Sequence, residues 1–441
     1  MARPDQPDVA LFPQERHVCD VTITGLGTSG DGMALLDGRS VFVPGALPGE
    51  TLRVALAPKG APEILDILAA SPARVTPPCP LFGPCGGCSL QMMRLDTMLD
   101  WKTARIQAAL RNAGFVVQPE PTAVQTPPMT RRRLDLAVAR VPGGMVIGLH
   151  RRNGPPVDMT LCHVADPALT ALLEPLRRVL GGLGALTGEA TLQINLLDSG
   201  ADIVLGTGQE LTASDRAKLA DFAAAHDVPR ISWQKSGQPG IVETVAQLKP
   251  VRQSFGPLTV APPPGIFLQA TRQGESAIVD AVLNALPPLN RKDVIVELYA
   301  GCGTLTGPLS TCGRVSAYEG VSEAVAALQR ARTGHRLEAE RRDLVRQPLL
   351  AGELTAARVV VLDPPHAGAP RQIEEIARSG VRDVVYVSCN PRALEKDAAR
   401  LREAGYALVA VTVVDQFLWS AEVEAVIALT KDPKRLRKHA A

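Results

Sequence analysis

Residues 294–307 read VIVELYAGCGTLTG. An apolar strand, interrupted by Glu297, runs through Tyr299 into a turn with Gly301 and Gly303. Glycines at the carboxyl end of a buried strand let a ligand approach the backbone closely. A full dinucleotide fingerprint needs a third glycine at 306, where this chain has Thr306, with Gly307 following. Outward from this stretch, VSAYE, ARVVVLD, DVVYVS, YALVAVTVVD and EAVIALT alternate with helical segments. The alternation begins after Pro262–Pro264 and predicts an α/β fold with a doubly wound, mainly parallel sheet.

Acids mark the strand ends. Glu319 closes VSAYE about 20 residues on, a position suited to two ribose hydroxyls. Asp343, in RRDL, closes the next strand-like stretch and is placed to accept from an exocyclic amine. Glu297 faces the same region. Acids at successive strand ends without a complete phosphate fingerprint fit S-adenosylmethionine better than NAD.

Three further groups point to chemistry. Asp363 closes ARVVVLD, ahead of two prolines. Cys389 sits in a tight turn after the apolar strand DVVYVS, where a cysteine can serve as an exposed nucleophile. Glu422 and Glu424 alternate with apolar residues in WSAEVEAVIAL, as on one strand face. Strand ends of a doubly wound sheet converge at one edge, so Asp363 and Cys389 are expected to meet over the cofactor. A cysteine nucleophile works together with a group that holds the substrate and a general base. Cys389, Asp363 and Glu424 are of these types. Cys302, Cys312 and Cys19 read as small packing residues.

The first half of the chain differs. Residues 1–16 are polar and Pro-containing, an expected disordered tail. From His17 to about Ala70, short alternating runs between Gly and Asp turns predict a small antiparallel barrel. Next comes CPLFGPCGGC, with Cys79, Cys85 and Cys88, and far downstream DMTLCHV carries Cys162. Four soft thiolates suit an iron–sulfur cluster or zinc. A helical pattern runs from Leu95 to Gly114, and residues 126–255 read as mixed strands and helices.

The 441 residues carry a net charge of +2, so a nucleic-acid partner would depend on local patches. Arg131–Arg133, Arg151–Arg152 and the tail KDPKRLRKHAA are candidates. No apolar run reaches the roughly 18 residues of a membrane span. Eight cysteines are too few for a disulfide scaffold in a chain of this length. With no secretory signal at the start, the chain reads as cytoplasmic.

The barrel, the cysteine quartet, FLQATRQ, ELYAGCGTLT, AYEG, LDPPHAG, YVSCNP and EVE together resemble the RNA uracil-5 methyltransferases. The similarity is to the branch with an N-terminal TRAM domain and a [4Fe–4S] cluster that modifies 23S ribosomal RNA. It implies a class I, Rossmann-like S-adenosylmethionine methyltransferase domain over 256–441 and an OB-like TRAM barrel over 17–72. Residues 73–94 and 115–255 would form a mixed α/β, RNA-binding iron–sulfur domain. Residues 95–114 would be a linking helix packed on the catalytic domain. The resemblance implies Cys79, Cys85, Cys88 and Cys162 as cluster ligands. It places Gln269, Tyr299, Glu319 and Asp363 around S-adenosylmethionine and the target base, with Cys389 as nucleophile and Glu424 as base. The RNA would present a flipped uridine from a loop or single strand. The chain departs from the family pattern at Thr271, His366 and Glu422, where asparagine, arginine and histidine are usual.

Competing readings are a radical enzyme with cluster-bound cofactor, a nucleobase amino-methyltransferase, and an RNA-binding or redox-sensing protein on a degenerate methyltransferase fold. The x5 spacing and the fourth cysteine argue against the first. His366 after Asp-Pro-Pro, where an aromatic residue is expected, argues against the second. Methylation of tRNA or another RNA base is the nearest enzymatic alternative.

Overall fold

In strand Ala357–Leu362, Val359 and Val361 pack into one apolar cluster, and Val360 and Leu362 into another. Val294–Leu298 divides likewise, Ile295 to one side and Val296 and Leu298 to the other. A strand covered on both faces reads as a continuous apolar run, which explains the sequence pattern. The computed structural model describes residues 17–57, 60–152, 154–238 and 240–439. The tail expected over residues 1–16 lies outside the described residues.

The chain divides into two units, Met1–Met98 with Trp419–Ala421, and Leu99–Leu418 with Glu422–Ala441. The first holds a five-stranded antiparallel sheet. Its order is Arg39–Val43, Gly32–Leu36, His17–Leu26, Thr51–Leu56, Glu63–Ala69. Ile23, Val43, Leu52 and Val54 fill its core. Where a barrel was expected, the hydrogen-bonded order leaves Arg39–Val43 and Glu63–Ala69 as edges.

The second unit contains two large sheets. A six-stranded sheet runs in the order Val242–Gln247, Arg230–Lys235, Gly200–Thr207, Ala190–Leu197, Arg133–Val141, Gly144–Gly148, around its own core. The other has eight strands. Leu337–Arg341, Arg314–Glu319, Val294–Leu298, Ala357–Leu362 and Asp383–Ser388 are parallel neighbours in that order. Glu424–Thr430 then inserts antiparallel between Asp383–Ser388 and Ala407–Asp415. The eighth strand is Thr122–Gln125, parallel to Ala407–Asp415. Sequence reading placed this segment in the central region, because four residues, TAVQ, carry no strand pattern of their own.

Two helices of this unit begin at capped residues close to the sheet edge. Thr271 caps Arg272–Ala285 by accepting from Gly274 N at 2.8 Å. Asn390 caps Pro391–Glu403, with proline at the first helical position. Both are favoured N-terminal signals.

Candidate active site

From Val294–Leu298 the chain winds one way across the sheet, and from Ala357–Leu362 it winds the other. Ligands of open α/β sheets bind outside the carboxyl ends at such a reversal. Tyr299, Gly301 and Gly303 form this edge with left-handed backbone, φ 63, 56 and 109°. Such a φ is uncommon for a tyrosine and marks a constrained turn. A Cβ added at Gly301 would meet nothing within 4 Å, so the space above it is open. At Gly303 it would stand 2.8 Å from Leu328 Cδ2, so that glycine serves packing. Glu319 pins the turn: Oε2 accepts from Gly301 N and Oε1 from Val321 N, each at 2.8 Å.

Asp343 lies two residues beyond strand Leu337–Arg341 and is exposed. Its Oδ1 accepts from Val345 N and Arg346 N at 3.1 Å, an Asx-type turn. Glu297 is buried, and its Oε2 has no hydrogen-bond partner among the described residues. Burial pushes its carboxyl up to about 8, and the charges of Asp363 and Glu319 add to this. Asp363 keeps a partly exposed edge, yet the protein packed around it pushes its carboxyl up to about 7. Elevated carboxyls in a group are suited to a cation, because added positive charge favours their ionised forms. The sulfonium of S-adenosylmethionine is such a cation.

Register brings the nucleophile and base candidates together. Ser388 pairs with Ala425 across the antiparallel ladder, so Cys389 comes level with Glu424 one step further. Cys389 is half-buried. Burial pushes its thiol up to about 12, aided by the charges of Glu424, Asp363 and Glu422. Glu424 is buried and its carboxyl is raised well above the ordinary range, by burial first and then by Asp363. Asn390, next to Cys389, donates through Nδ2 to His366 O at 2.9 Å. This ties the Pro364-Pro365-His366 loop to the cysteine turn.

Gln269 Nε2 donates to Asp363 Oδ2 at 3.3 Å. Its Oε1 accepts from Gln416 Nε2 at 2.6 Å, and the same nitrogen donates to Glu424 Oε1 at 3.3 Å. Gln269, Asp363, Gln416 and Glu424 therefore form one hydrogen-bonded chain. Gln416 was missed in the sequence. Its signal was a polar side chain directly after the apolar strand Ala407–Asp415.

Two expectations are corrected. Arg131–Arg133 is not a uniform surface patch. Arg132 is 1% exposed, pairs with Glu275, and donates through Nε to Gln269 O at 3.1 Å. Its phase with the buried Leu134, Leu136 and Val138 was the available signal. Glu422 is exposed and precedes the strand that starts at Glu424, so the two carboxyls do not share a strand face. Among the described residues, no group of three or more His, Cys, Asp or Glu side chains stands gathered for a metal ion. The cysteine loop is nonetheless folded back on itself. Phe82 N donates to Cys79 O at 3.0 Å and Cys85 N to Leu81 O at 2.9 Å.

Against known proteins, a TRAM domain model matches residues 14–56, and a tRNA (Uracil-5-)-methyltransferase model matches residues 321–432. A 23S rRNA (uracil(1939)-C(5))-methyltransferase from Alkalilimnicola ehrlichii is 32% identical, over 95% of this chain and 97% of its own length. The chain belongs to the RNA uracil-5 methyltransferase family. An uncharacterized RNA methyltransferase from Caulobacter vibrioides is 38% identical, over 93% of this chain and 100% of its own. The fold agrees with that of a Pyrococcus abyssi tRNA (uracil-54, C5)-methyltransferase solved with S-adenosyl-L-homocysteine. That likeness has a TM-score of 0.67 at 21% identity, over 94% of this chain and 100% of that one. As an RNA uracil-5 methyltransferase, the protein methylates carbon 5 of uracil in RNA. No helix among the described residues is long and apolar enough to cross a membrane.

Proposed function

We propose that Cys389 is the nucleophile and Glu424 the base of this methylation, and that the substrate is a 23S ribosomal RNA uridine. The observation carrying the roles is the register that sets Cys389 level with Glu424, at the sheet edge that holds Asp363. The substrate class follows the 23S rRNA enzymes to which the chain is similar along nearly its whole length.

The Cys389 thiol gives up its proton to solvent, and its sulfur bonds to carbon 6 of a flipped uracil. The electrons of the 5,6 double bond pass to the carbon 4 oxygen. S-adenosylmethionine would supply a methyl group on a positively charged sulfur; carbon 5 of the enolate takes the methyl, and the sulfur keeps the bonding pair and leaves as the neutral thioether. Glu424 then removes the proton from carbon 5. That electron pair restores the double bond and expels the Cys389 thiolate. Glu297 and Asp363 offer negative charge to the cationic cofactor. Glu319 holds the glycine turn, with Gly301 beneath the open space and Tyr299 and Gly303 shaping the turn around it. Gln269 orients Asp363, and Asp343 sits at the outer end, beyond Glu319. A flipped base is required because both faces of carbons 5 and 6 must be reached.

RNA carrying 5-fluorouridine tests the roles, since fluorine cannot be removed as a proton. The native protein should form an adduct that survives denaturation, and Cys389→Ala should form none. Mass mapping of 23S rRNA from cells lacking the protein tests the substrate; full methylation in those cells would overturn it.

The four thiols Cys79, Cys85, Cys88 and Cys162 are proposed to hold a [4Fe–4S] cluster. Donor chemistry supports this, since four thiolates satisfy such a cluster. No catalytic step depends on it. Iron and acid-labile sulfide in equal amounts, lost in Cys85→Ser, support the cluster; bound zinc rejects it. A cytoplasmic location suits both ribosomal RNA and reduced thiols.

A further inference from the structure

The side-chain amide of Gln416 has all its polar atoms engaged within the candidate active site. Nε2 donates to Gln269 Oε1 at 2.6 Å and to Glu424 Oε1 at 3.3 Å, which uses both of its hydrogens. Oε1 accepts from Ala270 N at 2.9 Å. Exchanging the amide's oxygen and nitrogen would face donor against donor at Ala270, so only one orientation satisfies the network. That orientation dictates the next. Gln269 must offer its oxygen to Gln416, and so it turns its NH2 toward Asp363. At Glu424 one oxygen is engaged, while Oε2 is buried with no partner among the described residues.

Two neighbouring features fix Gln416 in place. Asp415 is wholly buried, and its carboxylate accepts from Lys102 Nζ at 2.5 Å and from Gln125 Nε2 at 2.9 Å. On the other side, Gly274 leaves room. A Cβ there would stand 2.6 Å from Gln416 Cβ and 2.9 Å from its Oε1.

We propose that Gln416 is a positioning residue for proton removal from carbon 5: it fixes one oxygen of Glu424, leaves the other as the acceptor of that proton, and orients Gln269 toward Asp363. The inference rests on the assignment of Cys389 and Glu424 above. In the step concerned, the carbon 5–hydrogen bond breaks and the proton passes to Glu424 Oε2. The electron pair forms the 5,6 double bond, and the carbon 6–sulfur bond returns its electrons to Cys389. A donor on Oε1 favours the carboxylate form that can accept the proton. Glu424 also faces Asp363, Glu422 and Cys389, whose identities the test leaves unchanged.

The test is a single-turnover experiment on the full chain with methyl-labelled S-adenosylmethionine and a 23S rRNA fragment. Label entering RNA is compared with methylated RNA still covalently held on protein. In Gln416→Met, methyl entry should also slow, because Gln269 loses the partner that turns it toward Asp363, but by less than release. Release should slow roughly 10- to 100-fold, the scale of one lost hydrogen bond to a charged group. Covalently held methylated RNA should accumulate, and the pH profile of release should move upward. Gln416→Asn, which keeps the donor, should recover part of the release rate. Gly274→Ala, which crowds a retained Gln416, should show the same split and decides the matter if Gln416→Met does not fold. Release that keeps pace with methyl entry in the folded variants overturns the role of Gln416. A native protein that forms no covalent RNA intermediate overturns the underlying assignment instead.

Discussion

Cys389, the residue after strand Asp383–Ser388, lies one step past the Ser388–Ala425 pair, its half-buried thiol within reach of the charge of the buried Glu424. The pair is poorly suited to ionise both members at once. In the free protein this keeps the nucleophile protonated and the base close at hand.

Alkylation of Cys389 should reveal its protonation state. With the thiol pushed up to about 12, the thiolate is a small fraction at neutral pH. Modification of the free protein by iodoacetamide should rise about tenfold per pH unit from pH 7 upward, without levelling off below pH 10. A plateau below pH 8, followed by mass spectrometry of the Cys389 peptide, would contradict the burial argument.

Glu424→Gln should separate the two halves of the reaction. The methyl group should still reach RNA, but the methylated RNA should remain bound to Cys389. Turnover should fall on the order of 100-fold or more, the scale of a missing general base. Denaturing gels of the variant with unmodified RNA would show the retained adduct. Unbound methylated RNA produced at the native rate would remove Glu424 from its role.

Glu297 should make the cofactor-free protein less stable as pH rises. Its carboxyl ionises at about 8 when folded, against 4.5 ordinarily. Between those values the folded state binds more protons than the unfolded one, so stability falls with rising pH and levels off above 8. Glu297→Gln removes this dependence. Thermal unfolding from pH 4.5 to 9 should show the variant gaining on the native protein up to about pH 8, then running parallel to it.

Lys102 and Asp415 are both fully buried and paired. Lys102→Met leaves the Asp415 carboxylate without its cation and should cost about 3–5 kcal/mol in denaturant unfolding. The double variant with Asp415→Leu should recover much of the loss. Equal destabilisation by the single and double variants would show that the charge is not the cause.

Strands buried on both faces were plain in the sequence, because residues 359–362 and 384–387 are unbroken runs of apolar and aromatic residues. The glycine turn after Val294–Leu298 was equally visible, since only its backbone geometry demands those residues. Thr122–Gln125 was not visible, because a four-residue edge strand takes its identity from the partner it pairs with. Arg132 looked like surface charge until its phase with Leu134 and Leu136 put it inside, with Glu275 to balance it.

By itself, the sequence determined the α/β class, the glycine turn, the presence of a cysteine after one strand and an acid in the last, and kinship with the uracil-5 methyltransferases. These depend on local periodicity, turn chemistry and residue type. Only the tertiary structure decided that Glu424 is buried beside Cys389 while Glu422 is exposed, and that Gln416 links Gln269 to Glu424. Those relations depend on strand register and on contacts between segments nearly 150 residues apart, which no local pattern encodes.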